Sequence, residues 1–436
     1  MTHPFLMSLP QNRGALGITS VCSAHPRVIA MALRQGRGRP VLIEATCNQV
    51  NQDGGYTGMT PADFRRFVLD IAAVEGFDPA DLILGGDHLG PNPWKHLPAD
   101  QALDRAAVMV ADYVTAGFTK IHLDCSMGCA GEPEALPDEI TAQRAARLAA
   151  VAEKHGAPAY VIGTEVPIPG GALHHVDSLE VTSPDAAART VDIHREAFAK
   201  AGLGFDRVLG LVVQPGVEFG NQNVVPFAPA KAEALSARLN TLPGMIYEAH
   251  STDYQSEAAL RALVTGGFAI LKVGPWLTFA LREALYGLDL IAAELDGKPP
   301  AIQPAMEALM IQDPKHWAKY YPGTPAEQRL MRHYSYSDRI RYYWGQAPAQ
   351  QAARAVLDRL GDRDIPETLV SQHLGAVWSE GLSAAKAEGL LDAAVGRVLA
   401  IYDGAARGGG KGGGGVNPAL RKTPSVWPRS RPGPMV

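Results

Sequence analysis

A (β/α)8 barrel of the TIM type, followed by a helical extension, is the fold class that this 436-residue sequence predicts, on three observations. Eight short apolar runs alternate with longer amphipathic, Ala-rich stretches between residues 17 and 274, the rhythm of parallel βα units. Eight such units fit one closed barrel better than an open doubly wound sheet. No G-x-G-x-x-G follows the first run, so a dinucleotide-binding sheet lacks its phosphate turn.

The predicted strands are "GITSVC" (17–22), "VLIEAT" (41–46), "LILGGDH" (82–88), "KIHLDCS" (120–126), "AYVIGTEV" (159–166), "VLGLVVQ" (208–214), "MIYEAHS" (245–251) and "FAILKVG" (268–274). A strand covered on both faces should be continuously apolar, as these runs are. Helical patterns fall between them at 61–76, 97–117 and 138–156, the last with Gly156 as a C-cap. The barrel is expected to span 1–292 and the helical, aromatic-bearing extension 293–403. The tail 404–436 is rich in Gly, Pro and Arg and cannot bury enough apolar surface to offset its chain entropy, so it is expected to be disordered.

Composition narrows the function classes. The chain is 46% hydrophobic and 19% charged, with formal net charge −5, which argues against a nucleic-acid partner. No apolar run is long enough to cross a bilayer and the first residues lack the order of a signal peptide, so a cytoplasmic protein is expected. The cysteines Cys22, Cys47, Cys125 and Cys129 are expected to be reduced thiols, and no second pair supports a structural zinc site at Cys125 and Cys129. The tail's approach to a P-loop fails, because Ala405 stands where the first Gly is required and Gly412 follows Lys411 where Ser or Thr is required.

Polar residues break the apolar rule at the C-terminal ends of the strands, where a TIM barrel keeps its active site. They are Glu44, then Asp87 and His88, His122 and Asp124 (two apart and so on one face), Glu165, Gln214, Glu248 and His250, and Lys272. Buried singly these groups are costly; they become tolerable when they converge on one ion or substrate. His88, His250 and Glu165 read as a divalent-metal set suited to Zn²⁺, with Mn²⁺ or Co²⁺ as alternatives. Asp124 is either a fourth ligand or a carboxylate that orients a ligating His. Asp87, next to His88 in sequence, should point elsewhere and reach a substrate hydroxyl as general acid/base, or else cap a loop. Lys272 is either an imine-forming lysine or, preferably, a lysine paired with a carboxylate such as Glu248. For substrate binding, the amides Asn48, Gln49 and Asn51 stand in the loop after strand 2. His122, Gln214 and Ser251 lie at strand ends, and the turn at Gly274 opens a helix whose N-terminus suits a phosphate. Arg339 and Arg341, in "YSYSDRIRYYW" (334–344), either grip a phosphate or pack as a helix face.

The segments "EATCNQVNQDGGYTGMTPADF", "GGDHLGPNPW", "GFTKIHLDCSMGCAG", "VIGTEVPIPGG", "YEAHSTDYQ" and "FAILKVGPWLTFALREAL" resemble the accessory-subunit family of class II tagatose-bisphosphate aldolase, historically also labelled tagatose-6-phosphate kinase. The likeness runs from about residue 15 to residue 400 and leaves out the Gly-rich tail. The resemblance implies a barrel that handles ketohexose phosphates in galactitol and tagatose catabolism. It implies His88 and His250 as metal ligands and Asp87 as acid/base; the roles of Glu165 and Asp124 are inferred from barrel position. Three activities follow as expectations: a metal-dependent C4 epimerase of D-tagatose 6-phosphate acting by retro-aldol/aldol chemistry, a non-catalytic subunit that stabilises a separate class II aldolase chain, or an aldolase in its own right. The partners expected are a sugar phosphate, such an aldolase subunit, and further copies of this chain in a homo-oligomer.

Overall fold

The computed structural model describes residues 2–163, 179–379 and 386–407. Its centre is a closed parallel barrel of β1 (Ile18–Cys22), β2 (Val41–Thr46), β3 (Leu82–Leu89), β4 (Lys120–Leu123), β5 (Ala159–Gly163), β6 (Val208–Val212), β7 (Ile246–Ala249) and β8 (Phe268–Val273). Each strand pairs with the next, and β8 returns to β1, with Ile18 opposite Ile270 and Val21 opposite Val273. The helices α1 (Pro26–Gln35), α2 (Pro61–Glu75), α3 (Ala99–Thr115), α4 (Asp138–His155), α5 (Pro184–Lys200), α6 (Pro229–Arg238) and α7 (Glu257–Thr265) follow the first seven strands. Local sequence fixes their ends. In α2, Thr60 and Asp63 form a reciprocal capping box, Pro61 takes the first turn where no N–H is needed, and Gly76 at φ 62° ends the helix in the left-handed region. A two-strand ribbon, Glu218–Phe219 against Val224–Val225, leaves the barrel after β6.

The floor of the barrel is apolar. A short helix, Pro4–Ser8, places Leu6 with Leu9 against Ile18, Leu42, Ile83, Leu209, Ile246 and Ile270. It is tied down where Thr2 donates to the Ala157 carbonyl at 2.6 Å, just ahead of β5. A cluster of Phe5, Leu6, Met7 and Leu9 is the only trace of this plug in the sequence.

After β8 the chain runs through α8 (Pro275–Asp296), α9 (Ile302–Gln312), α10 (Pro325–Tyr334), a 3₁₀ turn at Arg339–Tyr343, α11 (Ala347–Leu360) and α12 (Glu367–His373), and ends in α13 (Ala387–Ala406). α13 packs against α7, α8, α1 and β1, and so occupies the outer ring between the seventh and first helices. Asp392 on α13 anchors it, with one carboxylate oxygen 2.5 Å from Arg27 and the other 2.7 Å from Arg34, both on α1. Arg34 also reaches Glu75 on α2 at 2.7 Å. The Gly17 N–H, at the entry to β1, donates to the Ala406 carbonyl at 2.8 Å. The helical part is therefore woven into the barrel wall, and α13 continues past residue 403 to Ala406. The rest of the expected tail, 408–436, lies outside the described residues. Among the described residues no helix is long and apolar enough to cross a membrane.

Candidate active site

Above the apolar floor, the inward side chains become ionic. Lys120 on β4 is fully buried, with Nζ 2.6 Å from Glu44 Oε1 on β2 and 2.8 Å from Glu248 Oε2 on β7. Ser20 on β1 donates to Glu44 Oε2 at 2.6 Å, and His250 Nε2 lies 2.8 Å from Glu248 Oε1. Burial opposes the charge on Lys120, but the flanking carboxylates outweigh it and raise the ammonium above its ordinary value. Glu248 is raised by burial, against the pull of Lys120. This pairing corrects the sequence-based partner of Lys272: Glu248 belongs to Lys120.

The next layer is the cluster itself. Asp87, His88, His122 and His250 bring ligand atoms within 4.8 Å of one another, all of them buried. Adjacent residues of a regular strand face opposite sides, which is why Asp87 was expected to point away from His88. The strand is not regular there. His88 has φ 51°, a left-handed conformation rare for a residue with a side chain, and the pairing of β3 with β4 shifts register between Gly86 and Leu89. The irregularity turns both side chains into one cluster, a form of backbone strain typical of functional sites.

The hydrogen bonds assign roles. His88 Nδ1 lies 3.0 Å from Asp124 Oδ2, so this carboxylate takes the Nδ1–H and leaves Nε2 for the mouth. Asp124 is itself fixed by Ser126, whose hydroxyl donates to Oδ1 at 2.7 Å. His122 sits beneath Asp87: its Nε2 donates to the Gly163 carbonyl at 2.9 Å and its Nδ1 lies 3.0 Å from Asp87 Oδ1. Burial opposes charge on His122, yet Asp87 raises its imidazole above the ordinary value and favours an ion pair between the two. His88 is lowered by burial, against the pull of Asp87, and His250 is lowered strongly by burial and by Lys272. Both are thus neutral imidazoles, the form that ligates metals. Asp87 is held well below the usual carboxylate range despite its burial, by the Lys272 charge and the hydrogen bond to His122. The Lys272 ammonium contacts Asp87 Oδ2 and lies 2.9 Å from His88 Nε2, so a cation already sits among these groups. Two neutral imidazoles and an ionised carboxylate around a cationic position fit a divalent ion.

A cavity of about 150 Å³ opens onto this cluster. His88, His250 and Lys272 form its base, and Asn48, Gln49, Ser251, Gly274 and Arg341 from the sequence-based set line its walls, as do Tyr56, Asp253 and Tyr342. Four other predicted residues are engaged away from it. Asn51 Oδ1 accepts from the N–H groups of Asp53 and Gly55, and its amide donates to Cys47, so it shapes the loop. Gln214 Oε1 accepts from the Gly216 and Val217 N–H groups. His122 acts beneath Asp87. Arg339 stacks on Tyr320 and donates to the His316 carbonyl at 3.1 Å, whereas Arg341 reaches the mouth. Glu165 lies outside the described residues. Lys120 and Asp253 are absent from the sequence-based set; Glu44, an acid to which no cation was assigned, was the available signal for the first. All four cysteines are free and buried.

A TIM barrel with titratable groups gathered at the C-terminal ends of its strands is the class that fold and site define. Residues 6–407 match the family described as D-tagatose-1,6-bisphosphate aldolase subunit GatZ/KbaZ-like. The chain is 54% identical over 407 residues to the D-tagatose 6-phosphate 4-epimerase of Agrobacterium fabrum (strain C58 / ATCC 33970), an alignment that covers 91% of this chain and 96% of that protein. It also superposes, with TM-score 0.83 and 57% identity, on the crystal structure of a probable tagatose 6 phosphate kinase from Sinorhizobium meliloti 1021, covering 89% of this chain and 100% of that one. The chain belongs to the GatZ/KbaZ-like family.

Proposed function

We propose that this protein is a metal-dependent epimerase that inverts C4 of D-tagatose 6-phosphate to give D-fructose 6-phosphate by retro-aldol/aldol chemistry. The observation that carries the reading is the buried convergence of Asp87, His88, His122 and His250 at the mouth, held there by strained backbone. A subunit that only props up another chain has no use for such an arrangement. The epimerase named above, similar along nearly its whole length, supports the substrate. His88 and His250 would hold the divalent ion, Zn²⁺ by the chemistry of the donors, while Asp87 beside them serves as acid/base and not as a ligand. Such an ion supplies Lewis-acid polarisation of a carbonyl.

The protein's own groups do the rest. Asp87, ionised and fixed by His122, accepts the proton of the C4 hydroxyl as the C3–C4 bond breaks. The electron pair stays with the C1–C3 fragment and C4 becomes an aldehyde. Arg341 at the rim holds the phosphate of the departing C4–C6 fragment, so the fragment turns without escaping. C3 then attacks the other face of the aldehyde, and Asp87 returns its proton to the new C4 oxygen.

The test is incubation of the purified, zinc-loaded chain with D-tagatose 6-phosphate, with products read by ¹³C NMR. Appearance of D-fructose 6-phosphate, lost in His88→Ala, is the expected result. A triose phosphate released into solution makes the chain an aldolase, and no turnover without an added class II aldolase chain makes it the accessory subunit that the family's description allows.

A further inference from the structure

In (β/α)8 barrels the helix after strand 8 commonly takes a phosphate on the open N–H groups of its first turn. Here those donors are engaged by the chain itself. Asp253, in the loop after β7, accepts through one carboxylate oxygen from the Gly274 N–H at 3.1 Å and the Trp276 N–H at 2.8 Å. Pro275, between them, has no N–H to offer. The following N–H, of Leu277, donates to the Gly274 carbonyl at 3.2 Å. Asp253 is 2% exposed, yet it lines the cavity beside Ser251 and Gly274.

The cations of the mouth are fewer than a doubly charged ligand at each end would need. Lys272 is committed to the Asp87 carboxylate. Arg341 donates to the carbonyls of Ser337 and Asp338 and to the Tyr342 hydroxyl, all neutral oxygens, and no ion pair holds it among the described residues. It is the guanidinium in the cavity wall that remains to answer an anion.

We propose that Asp253 is a specificity-determining residue that restricts this barrel to sugars carrying a single phosphate: Arg341 answers one anion, and the Asp253 carboxylate fills the α8 N-terminus and turns away a second. The proposal rests on the reading of the mouth as a ketohexose-phosphate site and narrows it to monophosphates. A bisphosphate entering the same mouth would set its second phosphate against a carboxylate that has already taken the helix's donors, and like charges there select by repulsion.

Isothermal titration of the purified, zinc-loaded chain with fructose 6-phosphate and with fructose 1,6-bisphosphate tests it, alongside the same NMR assay of tagatose 6-phosphate. The wild type is expected to bind the monophosphate about a hundredfold more tightly than the bisphosphate. Asp253→Ala, which frees the Gly274 and Trp276 N–H groups, should narrow that ratio at least about tenfold, chiefly through tighter bisphosphate binding. Asp253→Asn keeps an acceptor on the helix and removes the charge; it should narrow the ratio less, and it gives a reading if the alanine variant does not fold. Equal affinity of the wild type for both ligands, binding of neither, or variants that shift both ligands alike would overturn the proposal. Turnover without discrimination leaves the epimerase standing and removes the role of Asp253; discrimination without turnover does the reverse.

Discussion

The floor and the mouth of this barrel are built by the same strands a few residues apart, and they solve opposite problems. On β2, Leu42 faces the floor and Glu44 the layer above; on β7, Ile246 gives way to Glu248 and then to His250; on β8, Ile270 gives way to Lys272. The floor is stabilised by removing apolar surface from water, roughly 25 cal/mol per Å². The mouth concentrates charge where water is scarce, and each group there is tolerable only because another answers it. Between them lies the Glu44–Lys120–Glu248 layer, which joins a dry core to a reactive rim. The lesson is that stability and chemistry are separated by height along the barrel axis.

That separation can be broken from either side. The largest effect should come from the joining layer: Lys120→Met leaves two carboxylates buried without their cation and should destabilise the fold by about 3–5 kcal/mol in urea titrations. Loss below about 1 kcal/mol would mean that the core tolerates the two acids without their cation. A floor change comes next. Leu42→Ala should lower stability by about 2–4 kcal/mol while kcat of the folded protein stays within about twofold, because the lost methyl groups lie below the ionic layer. Smallest in free energy is Asp124→Ala at the rim: it releases His88 Nδ1 and should weaken zinc binding about 10–100-fold in a chelator competition, with little change in the unfolding midpoint.

Much of the barrel was legible because parallel strands buried on both faces read as continuous apolar runs, and six of them begin and end within about two residues of the runs predicted; the run 159–166 matches as far as Gly163, and the rest of it lies outside the described residues. β4 is shorter than its run, ending at Leu123, and Asp124 just beyond it turns its carboxylate to hold His88. At the site, His88 and His250 were visible as polar interruptions at strand ends. That Asp87 joins them was not, because a local rule of alternation cannot foresee a left-handed residue and a shifted register. Lys120 escaped notice because a lysine is ordinarily a surface residue, and its partners are 76 and 128 positions away. Gln214 and Asn51 looked like sugar ligands, but their amides serve nearby backbone, which is the commoner use of such side chains in loops.

The seat of α13 between the seventh and first helices has a consequence for how the chain comes into being. β1 leaves a ribosome well before the carbonyl of Ala406 that receives the Gly17 N–H, and before the Asp392 that gathers Arg27 and Arg34. Until they arrive, one flank of the newborn barrel is bare apolar surface. Maturation therefore waits on residues well downstream of the eighth strand, and a message cut short before this helix yields a ring with an uncovered seam.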